Sequence, residues 1–386
     1  MEVSQTTDIQ QFIKVSALLF NNPNNNTNNY GIHYNYYKDE ESIEKFFSKE
    51  NPYWQHAEYK LLIATENNEP VARMAIIIDQ DYNSYYIKKN QKTVFFGFFE
   101  TKDDFQITKA LFKEAKKILK KQKCTKFLGP IDGNMFNNIG LLQNNFSLIP
   151  EISMPINPAY YLEHFAKLKL KKHIDLLAYT IYLPNCKNVN QENLSQQNQS
   201  KQNKNDQNLD IQIIGFKKQE FDSKLKTAFQ IYSEAYGKTN HWLYYPIKFE
   251  EFYYQVGDLR QVLDEELTLI INYKNIPVGF LYCIPNFNLI IDKITAKSKL
   301  FQTIQFLWYK RKIKEARLAL ICILPNDEHK GFGTIIAQQL IANLKKKGYT
   351  TVEYSWVLET NTASRHLAEK LGGKIKSIYR VYEMKV

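Results

Sequence analysis

The stretch Ala319 to Lys347 constrains this chain more than any other. Leu318-Ala319-Leu320-Ile321-Cys322-Ile323-Leu324 is an unbroken apolar run, the pattern of a strand covered on both faces. Pro325 stops it, because proline cannot donate to a sheet ladder. After Asn326-Asp327-Glu328-His329 comes Lys330-Gly331-Phe332-Gly333-Thr334, and a helix begins at once. Ile336, Leu340 and Leu344, with Ala337 and Ile341, form its apolar stripe. Glycines just ahead of a helix let several backbone N–H groups converge on one anion, and the helix dipole adds to the attraction. The chemistry implied is binding of a phosphate or pyrophosphate. On two glycines alone, a plain strand-to-helix turn competes equally with that reading.

The surrounding pattern extends the motif in both directions. After Lys347-Gly348 a strand is predicted over Thr351 to Leu358, then a helix over Thr362 to Lys370. Leu371-Gly372-Gly373 and a last strand pair around Lys374 to Met384 follow. Upstream, strands are predicted at Leu267 to Tyr273 and Val278 to Ile284. Much earlier the same order occurs: strands at Leu61 to Ala64, Val71 to Ile78 and Val94 to Phe99, then a helix from Ile107 to Lys121. Leu111, Ala115 and Ile118 fall on one face of that helix. Asn68-Glu69-Pro70-Val71-Ala72 and Asn275-Ile276-Pro277-Val278-Gly279 share Asn, Pro and Val at equal spacing. That is an internal repeat of domain size, although two unrelated hairpins with ordinary turn residues are a competing explanation. The expected division is a first lobe at 1–183, a linker or insert at 184–210 and a second lobe at 211–386. Asn185 to Asn208 is Asn, Gln, Ser and Lys with almost nothing apolar, too little to offset the entropy of ordering. The run Asn21 to Asn29 reads as a loop, and Tyr30 to Tyr37 has no clear element.

The glycine loop and the tail resemble the GNAT superfamily of acyl-CoA-dependent acyltransferases. In that superfamily a strand leads into an (Arg/Gln)-x-x-Gly-x-(Gly/Ala) loop that cradles coenzyme A; Glu328 here stands where Arg or Gln is usual. The tail Glu353-Tyr354-Ser355-Trp356-Val357-Leu358-Glu359-Thr360-Asn361, with Leu371-Gly372-Gly373 and Tyr379-Arg380-Val381-Tyr382-Glu383, is similar to a bacterial tandem-GNAT branch. Gly97-Phe98-Phe99-Glu100 and Gly129-Pro130-Ile131-Asp132-Gly133 extend that similarity to the first half. The resemblance implies an α/β (α+β) fold of two GNAT-like lobes, each a mixed, mostly antiparallel sheet flanked by helices. In the first lobe Glu100-Thr101-Lys102-Asp103-Asp104 fills the glycine loop's place, and acids at a helix start repel phosphate. The first lobe is therefore expected to be a degenerate copy without its own cofactor.

The resemblance also implies an activity: transfer of an acyl group from acetyl-CoA or another acyl-CoA to an amine by direct attack. The acceptor is a small molecule, a peptide or a protein. Backbone groups at Ile323 and Leu324 would hold the pantetheine arm and carbonyl, and those of His329, Lys330, Gly331, Phe332, Gly333 and Thr334 the pyrophosphate. Asn361 matches an asparagine near the cofactor, or else caps the helix that Thr362 opens. Glu353 and Glu359 are the candidate bases, on one face of their strand with Ser355 between them; a solvated strand-end glutamate is the competing reading. The tyrosine that many members use to protonate the leaving thiolate aligns with Ala368, so Tyr379 or Tyr382 would have to substitute, or water. A Fem-like transferase using aminoacyl-tRNA, and a non-catalytic interaction module, are the alternative functions.

Composition excludes several other classes. Four cysteines, Cys124, Cys186, Cys283 and Cys322, lack any paired spacing, and seven histidines are scattered, so neither a disulfide framework nor a metal site is expected. No apolar run reaches the ~20 residues that span a bilayer, and Glu2 and Asp8 interrupt any leader-like start. A cytoplasmic protein is the expectation. The net charge of +11 admits attraction to a polyanion such as nucleic acid, an anionic lipid surface or the phosphates of coenzyme A, or simply a lysine-rich surface. Without a basic tail, the second reading is preferred.

Overall fold

The computed structural model describes residues 1–20, 40–86, 92–186, 210–239, 241–295 and 298–386. The stretches 21–29 and 30–37, and nearly all of the expected linker, lie outside them. Two compact units share the chain. The first gathers Met1–Leu176, Leu243–Tyr254 and Ser377–Val386, and the second gathers Leu177–Trp242 and Gln255–Lys376.

The first unit contains β1 (Glu2–Thr6), α1 (Ile9–Phe20), α2 (Glu40–Phe47), β2 (Ala57–Glu66), β3 (Glu69–Asp79), α3 (Gln80–Tyr86), β4 (Thr93–Thr101), α4 (Phe105–Lys121), β5 (Lys126–Gly129), β6 (Leu141–Leu142) and α5 (Tyr160–Lys167). β1 to β4 pair as antiparallel neighbours, and β5 joins β4 in parallel. That parallel step needs a crossover, and α4 supplies it. Leu111, Ala115 and Ile118 of α4 are buried, as the spacing predicts, in one cluster with Leu62, Met74 and Phe96 of the sheet. Arg73, fully buried, donates to the carbonyls of Phe12 and Ile13 at 2.9 and 3.1 Å and lies 3.3 Å from Glu100, tying α1 to the sheet. The two similarity motifs of this half interlock. Gly97 leaves no room for a Cβ beside Ile131 and Asp132, and the Ile131 amide donates to the Phe96 carbonyl at 2.8 Å.

The remaining elements are β7 (Lys171–Tyr182), β8 (Ile211–Gly215), α6 (Phe221–Thr239), α7 (Phe249–Val256), α8 (Leu259–Val262), β9 (Thr268–Tyr273), β10 (Ile276–Pro285), α9 (Asn288–Ile291), α10 (Lys299–Lys310), β11 (Glu315–Ile323), α11 (Phe332–Lys346), β12 (Thr351–Leu358), α12 (Thr362–Lys370) and β13 (Lys374–Lys385). In the second unit β8, β9, β10 and β11 are antiparallel neighbours, and β12 joins β11 in parallel. The connection is α11, so the order strand, strand, helix, strand of β3, β4, α4 and β5 recurs as β10, β11, α11 and β12. The repeat extends to the turns. Asn67 and Asn68 have φ of 52° and 65°, and Lys274 and Asn275 have 51° and 62°. These are two-residue hairpin turns whose left-handed residues match the twist of the strands. In both hairpins the register slips by one residue just after the shared proline, Pro70 or Pro277. A final pair of strands is not formed. Lys374–Lys385 is one continuous strand without a turn residue, and its later part pairs with β5 and β6.

Within the first unit, Leu243–Tyr254 is held by a buried charge cluster. His56 Nδ1 lies 3.2 Å from Asp79 and Nε2 lies 2.9 Å from Glu251, while the Tyr245 hydroxyl donates to Asp79 at 2.6 Å. Burial alone would lower the imidazole pKa, but hydrogen bonds to the two carboxylates outweigh it and raise it to about 10. A group whose pKa is raised on folding stabilises fully below its unfolded value and loses that contribution as pH rises through the folded one. His56→Ala should therefore cost on the order of 3 kcal/mol near pH 6, since it strands two buried carboxylates. In chemical denaturation the gap between wild type and variant should close as pH rises towards and past about 10. A gap that stays constant with pH would assign His56 a packing role instead.

Candidate functional site

The buried strand β11 and its neighbour β12 begin as a regular parallel pair, Glu315 opposite Thr351 through Leu318 opposite Tyr354. There the pairing ends, although β11 runs on to Ile323 and β12 to Leu358. The two strands splay, and a cavity of about 560 Å3 opens where the ladder stops. Ala319 to Ile323 line one side of it, and Tyr354, Trp356 and Leu358 the other. β11 remains bonded to β10 along its other edge as far as Gly279 opposite Ile323. The edge facing β12 thus offers backbone donors and acceptors to an extended ligand arm. Trp356 adds a buried indole N–H with no acceptor among the described residues.

At the open end of β11 sits the glycine loop. Gly331 is the N-cap of α11 with φ of 94°, a conformation that glycine adopts without strain. No described side chain caps this helix and no acid stands in its first turn; the Thr334 amide donates to the Gly331 carbonyl at 2.9 Å, and the N–H groups of Phe332 and Gly333 remain for another anion. A Cβ on Gly333 would meet only Ile323, at 3.8 Å, so the space above that amide is open. The equivalent helix of the first unit is closed differently. The Asp104 carboxylate accepts from the Gln106 amide at 2.7 Å, placing the protein's own anion at the α4 N-terminus. His329 braces the loop: its Nδ1 lies 2.9 Å from the Leu324 carbonyl and its ring stacks on Phe332 at 5.3 Å.

The end of α6 and the residues after it form the opposite wall, with Tyr236, Thr239, His241 and Trp242. The His241 ring lies 4.1 Å from that of Tyr236, and its Nδ1 meets the Trp242 carbonyl at 2.9 Å. A carbonyl only accepts, so Nδ1 carries the proton and Nε2 the lone pair. Burial lowers the pKa of this imidazole to about 4. Cys322 is hydrogen-bonded to Tyr236, and burial drives its thiol well above the ordinary value. Tyr354 is hydrogen-bonded to Ser364 of α12, and burial likewise raises its hydroxyl. Both groups therefore stay protonated at neutral pH.

Among the residues singled out from sequence, Ile323, His329, Gly331, Gly333, Thr334 and Asn361 line this cavity. Asn361 is also the N-cap of α12, its side chain accepting from the Ser364 amide at 3.0 Å. Leu324 contributes the carbonyl that holds His329, Phe332 is buried beneath the loop, and Lys330 is exposed. The proposed catalytic set does not gather there. Tyr354, Trp356 and Leu358 face the cavity, so strand alternation turns Glu353 and Ser355 to the other side. There Glu353 accepts from the Ser355 hydroxyl at 2.9 Å and lies 3.7 Å from Lys376. Burial raises its carboxyl despite the pull of Lys376 and Arg317. Glu359 follows β12, and its carbonyl accepts from Arg365 at 3.1 Å. Tyr379 belongs to the first unit, buried opposite Leu142. Ala368 is buried and faces Gly373. The aromatic segment His241 to Pro246, which the resemblance puts at the acceptor pocket with core packing as an equal explanation, brings His241 and Trp242 to the cavity; sequence reasoning gave no role to Tyr236, Tyr354, Trp356 or Ser364. The aromatic pair two residues apart on β12 was the signal available. Among the described residues no cluster of His, Cys, Asp or Glu is placed to hold a metal ion.

The FR47-like protein family matches residues 306–381, from α10 into β13. Protein YghO of Escherichia coli is 26% identical over 351 residues, which cover 88% of this chain and 85% of that protein. The bacterial ceramide synthase of Caulobacter vibrioides is 25% identical over 349 residues, covering 89% of this chain and 88% of its own. In fold the chain is similar to a tandem GNAT protein from the clavulanic acid biosynthesis pathway, with a TM-score of 0.53 at 9% identity; the match covers 100% of this chain and 98% of that one. It is also similar to the GCN5-related glucosamine N-acetyltransferase region of a fungal multi-domain β-N-acetylglucosaminidase, with a TM-score of 0.54 at 12% identity. That match covers 99% of this chain and 38% of the larger protein. The matched segment is thus similar to the FR47-like family, and the fold as a whole is that of tandem GNAT proteins.

Proposed function

We propose that the chain is an acyl-CoA-dependent N-acyltransferase whose cofactor cleft lies between β11 and β12. The observation that carries this reading is the splay of those strands, ending at a glycine-opened helix that no side chain caps. In this reading the pyrophosphate of coenzyme A rests on the first-turn amides of α11, and the pantetheine arm adds to the free edge of β11. The thioester is already activated, so the protein's tasks are alignment, exclusion of water and handling of two protons. The amine nitrogen attacks the acyl carbon, the C–N bond forms and the C–S bond breaks, giving an amide and a thiol.

Once the C–N bond has formed, the attacking nitrogen is strongly acidic, which suits a weak, neutral base. His241 has that character: burial keeps it uncharged and its lone pair sits on Nε2. We assign it the proton from the amine, directly or through water. Tyr354, held by Ser364 and protonated, supplies the proton to the leaving sulfur in place of the family tyrosine that aligns with Ala368. Glu359 lies beside the cavity-lining Thr360 and serves as a relay for the amine's proton, while Glu353 stabilises the far face of the sheet. The relative named as a ceramide synthase supports a fatty acyl group as the one transferred and a long-chain amino alcohol as acceptor.

Thermal melting with CoA, acetyl-CoA and longer acyl-CoAs tests the cleft. A ligand at a hundredfold excess over Kd adds roughly 2.7 kcal/mol to the native state. Gly333→Glu should fold at least as well as the wild type, because an acid in a first turn favours the helix and its Cβ has room. It should lose the CoA-dependent shift, since its carboxylate then occupies the anion site. A shift retained in this variant, or absent from the wild type with every CoA species, would overturn the reading.

His241→Gln should lower kcat by about 10²–10⁴-fold while leaving the CoA-induced melting shift unchanged. The acid limb due to this residue should lie near pH 4 rather than at the ordinary histidine value. Activity within a few-fold of wild type would remove His241 from the mechanism.

A further inference from the structure

We propose that α10 is an interfacial helix that seats this protein on an anionic membrane surface. Leu300, Phe301, Ile304, Leu307 and Trp308 are each more than half exposed, Leu300 at 69%. At 3.6 residues per turn they fall within about a third of the helix circumference, forming one continuous stripe. The partly covered side carries Gln305, Phe306, Tyr309 and Lys310, and Phe306 packs on Phe287 at 5.3 Å. The helix thus directs its most apolar face to solvent, the reverse of an ordinary surface helix. Contiguous exposed apolar surface of this kind marks a docking site.

Charge identifies the partner. From Lys293 to Lys314 the sequence holds Lys293, Lys297, Lys299, Lys310, Arg311, Lys312 and Lys314 and no acid. Lys293, Arg311 and Lys312 form no ion pair with a described residue. Lys312 lies over the Trp308 ring at 3.3 Å, and Lys293 over Tyr309 at 6.0 Å, so the cations flank the aromatics that border the stripe. Basic side chains beside an apolar stripe with Trp and Tyr at its margin match the boundary between anionic headgroups and acyl chains. A second copy of the chain fits less well, because a two-fold contact through α10 would bring the same basic groups face to face. At twelve residues α10 lies on a membrane and does not cross it, and no described helix is long and apolar enough to span one. The inference stands apart from the acyl-CoA reading, since none of these residues lines the cavity.

The test is co-sedimentation of the full chain with vesicles of phosphatidylcholine alone and of phosphatidylcholine mixed with phosphatidylglycerol. Binding is expected to the mixed vesicles, weakening as salt rises, with the emission of Trp308 shifted to shorter wavelength. Phe301→Ser with Trp308→Ser should lower the partition coefficient about tenfold or more. Both side chains are more than half exposed, so the melting temperature should match the wild type. Equal sedimentation of variant and wild type, or no preference for the anionic vesicles, would overturn the proposal. So would α10-dependent dimers in sedimentation velocity without vesicle binding, which would make the stripe an interface between copies.

Discussion

The second unit depends on a ladder that stops. Four residue pairs bind β11 to β12, and beyond Leu318 and Tyr354 the strands part. An open strand edge inside a protein is costly unless something takes up its polar groups, and the splay is maintained by what lies on either side of it. β11 stays bonded to β10, α6 packs on both, and α12 packs on β12. The cavity therefore opens in the scaffold itself, with loop residues such as Trp242 and Gly331 completing its lining, which favours a preorganised site.

The two units carry the same topology and end their crossover helices in opposite ways. In α11 a left-handed glycine leaves the first-turn amides uncapped; in α4 the Asp104 carboxylate satisfies one of them. One helix start is satisfied by the protein's own carboxylate, and no described side chain reaches the other. The shared hairpins, each with two left-handed residues and a slip after proline, show that the common frame survives this difference.

Much of this was legible in the sequence, because the signals are local. The apolar run, Pro325, the glycines and the stripe of α11 each report on a few neighbouring residues, and the elements fall where the pattern puts them. The facing of β12 was not legible. Its residues are buried on both sides, including Glu353 and Ser355, so no alternation of polar and apolar remains to set the phase. The placement of Leu243–Tyr254 and Ser377–Val386 in the first unit rests on distant partners such as His56, Asp79 and Leu142, which no short window contains. The neutral state of His241 likewise follows from burial, and histidine looks the same in a sequence whether wet or dry. The stripe of α10 has ordinary helical spacing; only the folded chain shows that it points outward.

On the proposed acyl-CoA reading, Cys322 places a thiol in the wall of the cleft that receives the thioester. A cysteine so located invites a side reaction, in which the enzyme's own sulfur takes the acyl group from its carrier. The reactive species in such an exchange is the thiolate. Burial keeps the sulfur in its protonated form, outweighing the hydrogen bond with Tyr236, which pulls the other way. The cleft is thereby insulated from self-acylation, and for the same reason from alkylating reagents and peroxide.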